Sequence, residues 1–73
     1  MNFDYLRTFL DVVRAGSFSD VARKLSISQP AVSFQIRKLE HDTGVRLIDR
    51  SQKTAIPTEA GRRFVVFVEA VEG

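Results

Sequence analysis

Apolar residues recur at helical spacing through most of this chain. Over residues 3–15, Leu6, Phe9, Leu10 and Val13 stand at i, i+3, i+4 and i+7, with Arg7, Asp11 and Arg14 on the other side. That pattern predicts an amphipathic helix whose apolar stripe closes a core over the next two helices. Asn2 can cap its start and Gly16 can stop it. Asp4 with Arg7, and Asp11 with Arg14, are i, i+3 neighbours on its surface, each pair contributing roughly a few tenths of a kcal/mol.

Residues 18–39, FSDVARKLSISQPAVSFQIRKL, continue the helical spacing with a break in the middle. Ala22 and Leu25 lie three apart, Val32 and Ile36 four apart, and Ile27 falls between as a plug. Ser17 is placed to cap a short helix running to about Leu25, with Asp20 completing a variant capping box. Small Ala22 suits a place where two helices cross. Ser26 takes a turn position where glycine commonly reaches a positive φ, so serine implies a mild cost or a slightly different turn. Ser28 then caps a third helix, Pro30 occupies its first turn, and Val32, Ile36 and Leu39 form its buried stripe. That helix ends near Thr43 with Gly44 beyond it. Two short helices and a tight turn over about 18–37 make a helix-turn-helix, a shape whose second helix fits the major groove of DNA.

Residues 45–49 and 54–57 alternate weakly around Ser51, Gln52 and Lys53, predicting a two-stranded wing with Leu47 and Ile56 turned inward. Pro57 ends it. Thr58 opens a last helix, with Glu59 favourable at its positive end. Phe64, Val65, Val66, Phe67, Val68, Ala70 and Val71 leave that helix almost no polar face. One stripe, such as Phe64, Phe67 and Val71, can pack on the domain, leaving the rest as a partner surface. The chain is therefore expected to be a piece of something longer, with residues 1–57 forming one domain and 58–73 the start of a further helix.

Seventy-three residues without a cysteine make one small domain, free of disulfides and thiolate metal sites, which suits a reducing cytosol. No apolar run is long enough to span a membrane, and no secretory leader pattern opens the chain. Net charge is only +2, but its distribution is uneven. From Arg23 to Arg63 nine basic residues face four acids, net +5, between ends of −1 and −2. A basic middle suits a polyanion meeting one face, although a solvated mixed-charge surface would look similar. Enzyme chemistry finds no support: there is no histidine–carboxylate constellation, phosphate loop or nucleophile elbow, and His41, the lone histidine, has no companion ligand.

Gly16-Ser17-Phe18, Ser28-Gln29-Pro30-Ala31-Val32-Ser33, Leu39-Glu40, Gly44, Leu47 with Arg50, and Thr58 to Gly61 occur in order. Together they strongly resemble the amino-terminal domain of LysR-type transcriptional regulators. The resemblance implies a mainly α fold: a winged helix-turn-helix with a three-helix core, a two-stranded β wing and a C-terminal linker helix. It also implies binding to double-stranded DNA in the cytoplasm and pairing of the linker helix with a second copy, with a tetramer open to the full-length protein. A small-molecule effector would act through a further domain. No cofactor or metal is implied.

Carried across by position, Gln29, Pro30 and Phe34 would meet base edges from a recognition helix at 28–43. Ser17, Phe18, Ser28, Ser33 and Arg37 would sit at or near phosphates, with Arg50 and Lys53 serving the wing. Phe64, Val65, Phe67, Val68 and Val71 would pair the two copies. Phe34 departs from the arginine or other polar residue common there and cannot fork onto guanine, so Gln29 and DNA shape carry more of the readout. The competing reading is a winged helix used only for protein contact through its last helix.

Overall fold

A computed structural model describes residues 1–72. Helices α1 (Phe3–Ala15), α2 (Phe18–Leu25) and α3 (Gln29–Thr43) come first, followed by strands β1 (Ile48–Asp49) and β2 (Ile56–Pro57) and helix α4 (Glu59–Glu72). The strands form one antiparallel pair. This is a winged helix-turn-helix.

Local chemistry sets the helix ends. Asn2 accepts the Asp4 amide at 2.7 Å, Ser17 that of Asp20 at 3.1 Å, and Ser28 that of Ala31 at 3.2 Å. Each satisfies an amide that the first turn leaves without a helical partner. Gly16 and Gly44 close α1 and α3 in the left-handed region at φ 67° and 76°. Ser26 does the same for α2 at φ 58°, so serine accepts the strained conformation and the turn is not remodelled around it.

The core gathers Leu6, Phe9, Leu10 and Val12 of α1, Val21 and Ala22 of α2, and Val32, Ile36 and Leu39 of α3. Leu47, Ile48, Ala55 and Val68 complete it from the wing and α4. The expected stripe of α3 and the small residue at Ala22 are found as read. Leu25 is not: it is 37% exposed at the end of an eight-residue helix, and Ile27, just past the turn, packs on the core instead. Surface charges also pair differently from the helical-neighbour expectation. Asp11 meets Lys24 of α2 at 3.3 Å, and Arg14 meets Glu69 of α4 at 3.2 Å, because neighbouring helices bring these partners closer.

The wing corrects a further expectation. Leu47 is buried, but Ile56 is 42% exposed. Pairing sets Ile48 opposite Pro57 and Asp49 opposite Ile56. Directly opposed residues share a face, so Ile56 points outward with Asp49 while Ile48 turns inward. Ala55 fills the remaining inner place. The strands are only two residues long because neighbouring amides bond elsewhere: that of Ala55 donates to the Gly16 carbonyl at 3.0 Å and that of Leu47 to Glu40 at 2.8 Å. The Thr58 amide still donates across the pair to the Leu47 carbonyl at 3.0 Å.

Helix α4 docks through Phe64, Val65 and Val68, with the Phe64 ring 5.6 Å from that of Phe9. The expected stripe of Phe64, Phe67 and Val71 is thus rotated: Val68 is 1% exposed, whereas Phe67 and Val71 are 52% and 48% exposed. Val68 belongs to this chain's own core, which corrects its expected place on a surface shared with a second copy. The cause is the anchoring of the first turn. Thr58 Oγ1 accepts the Gly61 amide at 2.9 Å and donates to the Arg46 carbonyl at 2.6 Å. A Cβ on Gly61 would lie 2.1 Å from the Leu47 carbonyl oxygen and 3.2 Å from Pro57 Cβ.

Gly61→Ala should therefore destabilise the protein even though alanine is the better helix former by about 1 kcal/mol. Forcing α4 away from the wing should cost about 1–3 kcal/mol net. In a domain of this size, thermal melting should show a fall of roughly 4–8 °C per kcal/mol. An unchanged or raised midpoint would show that α4 does not depend on this close approach.

Candidate nucleic-acid interface

Helix α3 buries Val32, Ile36 and Leu39 and so turns Gln29, Pro30, Phe34 and Arg37 to solvent. Ser33 is half-buried beside them, and neither its hydroxyl nor the Gln29 amide takes a hydrogen-bond partner within the described residues. These side chains line one open cleft between α3 and the wing. Phe18 at the start of α2 and Arg50, Lys53, Thr54 and Gln52 of the wing form the rest of its wall. Eight of the ten residues expected at bases or phosphates thus meet in one place: Phe18, Gln29, Pro30, Ser33, Phe34, Arg37, Arg50 and Lys53. Ser17 and Ser28 lie outside that lining and act as helix caps.

Glu40 fixes the cleft's geometry. Its Oε2 accepts the amides of Leu47 at 2.8 Å and Ile48 at 3.3 Å, and its Oε1 accepts from Arg50 Nη1 at 3.0 Å. One carboxylate on α3 therefore holds both the start of β1 and the arginine that follows the strand. The side chains of Glu40 and Arg50 are 10% and 24% exposed. Burial alone would raise the Glu40 carboxyl, but the Leu47 amide, the Arg50 guanidinium and the Ile48 amide outweigh it and hold the group below its ordinary value. Arg50 also lies 5.8 Å from the centre of the Phe18 ring, within cation–π range. It joins α2, α3 and the wing, and its Nη2 is buried without a hydrogen-bond partner. Its engagement with Glu40 makes it a brace as much as a surface cation.

Sequence reasoning passed over several members of this region. Gln52 and Thr54 line the cleft, as does Asp49, whose carboxylate accepts from the Ser51 hydroxyl at 2.6 Å and amide at 2.9 Å. Those bonds, the hydroxyl's first, hold Asp49 below its ordinary value. Arg46, counted only as charge, lines a second hollow with Arg37, His41 and Arg50. Glu40 was marked in the sequence as half of the Leu39-Glu40 pair and as an acid inside a basic stretch, but its partners are seven to ten residues away and carry no periodicity.

Residues 3–62 match the family described as bacterial regulatory helix-turn-helix protein, lysR family. The chain belongs to that family. It is 46% identical over 68 residues to a probable RuBisCO transcriptional regulator of Cyanidioschyzon merolae, covering 93% of this chain and 22% of that protein. The chain thus spans about a fifth of the length of the curated relatives it matches. Among solved structures it resembles a BenM DNA-binding domain bound to the benA site 1 DNA, with a TM-score of 0.92 and 35% identity over 99% of this chain and 81% of that one. It also resembles Vibrio fischeri DarR in complex with DNA, with a TM-score of 0.93 and 30% identity over 99% of this chain and 25% of that one.

The depressed Glu40 carboxyl makes stability depend on pH. A carboxyl whose folded value lies below its unfolded value stabilises fully above the unfolded value, and that contribution disappears as pH falls through the folded one. Glu40→Gln should cost about 1.5–3 kcal/mol at neutral pH, since an ionised acceptor of several bonds is replaced by a neutral one. Urea unfolding of both proteins should show the gap narrowing from about pH 7 to about pH 3. A gap that stays constant would show that the charge of Glu40 does not hold the wing.

Proposed function

We propose that this LysR-family domain binds duplex DNA with α3 in the major groove and the wing on the flanking backbone. The observation that carries the reading is the single cleft in which the outward face of α3 meets Arg50 and Lys53 of the wing. Two related structures of the same fold hold DNA, which supports the same reading. Gln29 has an unengaged amide able to bond adenine N6 and N7 together, and Pro30 packs beside it at the base edges. Ser33, Arg37 and Lys53 take phosphates, with Ser17, Phe18 and Ser28 near them. Arg50 contributes to the wing's field while bracing it.

A second copy would pair through the apolar side of α4. Phe67 and Val71 are exposed there, and Val66, among the residues the apolar pattern left for a partner surface, is 68% exposed. Phe64 and Val65 are half-buried and would contribute only their outer edges. A homodimer presents two such clefts to two half-sites. In the longer protein that the relatives' lengths suggest, an effector-binding region would act on this dimer to control transcription in the cytoplasm. No helix among the described residues is long and apolar enough to cross a membrane.

If Arg37 and Lys53 each neutralise one phosphate, the logarithm of affinity should fall with the logarithm of salt at a slope of about −1.8. That slope corresponds to roughly a twelvefold loss between about 50 and 200 mM salt. A duplex titration at the two concentrations measures it. Absence of binding even at the lower salt would remove the DNA reading and favour a protein-contact role for the fold.

Gln29→Ala should reduce discrimination among duplex sequences by about 1–3 kcal/mol while leaving binding to unrelated duplex nearly intact. Competition between a preferred and a scrambled duplex tests it. Equal weakening on both would show that Gln29 reads no base.

A further inference from the structure

Phe34 is the large apolar side chain of α3 that remains exposed, at 57%. It stands one turn after Pro30 and just under one turn before Arg37, on the outward face of the helix. The cleft around it mixes polar and charged residues, Gln29, Ser33, Arg37 and Lys53 among them, with apolar Phe18 and Pro30. It is separate from the apolar side of α4, and its ring stacks on no other ring of the chain among the described residues. Helix α3 therefore carries an apolar feature that the fold does not cover, on the same face from which Gln29 and Pro30 would meet base edges.

A phenyl ring has neither a donor nor an acceptor for the polar atoms of the groove floor. The apolar group displayed there is the 5-methyl of thymine. We propose that Phe34 is a specificity residue that selects a 5-methylpyrimidine, by packing its ring on that methyl group. This inference rests on α3 entering the major groove. Because the contact is to the methyl and not to the hydrogen-bonding edge, 5-methylcytosine satisfies it as well as thymine does. Cytosine methylation at that position would then strengthen binding, whatever the pairing partner contributes.

The test uses duplexes enriched by the protein from a random pool at low salt. Each thymine in the enriched sequence is replaced singly by deoxyuridine, which removes only the methyl. One position should lose about fourfold in affinity, the effect expected for one buried methyl group. At that position 5-methylcytosine should bind more tightly than cytosine by a similar factor. Both differences should vanish in Phe34→Ala and partly persist in Phe34→Leu, with the circular dichroism of all three proteins alike because the side chain is exposed. Indifference to every deoxyuridine replacement overturns the proposal and leaves the DNA reading standing. Methyl sensitivity that survives in Phe34→Ala overturns it too, by assigning the methyl to another residue. Failure to bind any duplex at low salt removes both readings together.

Discussion

The carboxylate of Glu40 is the point through which the helical core and the wing become one body. Strands of two residues cannot hold a hairpin in place by their own ladder, and an isolated hairpin is marginal at best in water. Here the wing is secured by bonds that leave it: two backbone amides and an arginine to Glu40, and Ala55 to the carbonyl of Gly16. Because Glu40 lies on the same helix as Gln29 and Phe34, the distance between the outward face of α3 and the wing is set within that helix. A ligand entering the cleft meets two walls whose separation is built in advance, which lowers the ordering cost of binding.

Arg50 shows how a basic residue can serve structure and surface at once. A guanidinium bonded to Glu40 and placed near the Phe18 ring has lost much of its rotamer freedom. That makes it a stiff part of the cleft wall, unlike Lys53, which is exposed at the wing's tip. The cleft also includes Asp49, an acid turned away into bonds with Ser51. The local field is thus made by the placement of charges more than by their number, in keeping with a formal net charge of only +2.

Helix α4 has two faces with different tasks. Its inner face, centred on Val68 and Phe64, completes a core that would otherwise be small for so short a chain. Its outer face keeps Val66, Phe67 and Val71 in solvent. The close approach at Gly61 decides which residues fall on which side, since a helix pinned at its first turn has its rotation fixed along its whole length.

The helices and their caps were legible in the order of residues because their causes are local. A side-chain oxygen at Asn2, Ser17 or Ser28 reaches amides two or three positions away, and the stripe Val32, Ile36, Leu39 follows from the helical period alone. Most of the cleft was legible too, since Gln29, Pro30, Ser33, Phe34 and Arg37 occupy the face that this stripe leaves outward. The inward turn of Ile48 in place of Ile56, the burial of Val68 in place of Phe67, and the partners of Glu40, Asp11 and Arg14 were not legible. Each depends on contacts between elements distant in the chain: strand register, a carbonyl against Gly61, a neighbouring helix. Local periodicity says which face a helix or strand would bury, and the packing of whole elements then settles how far it is rotated and what it meets.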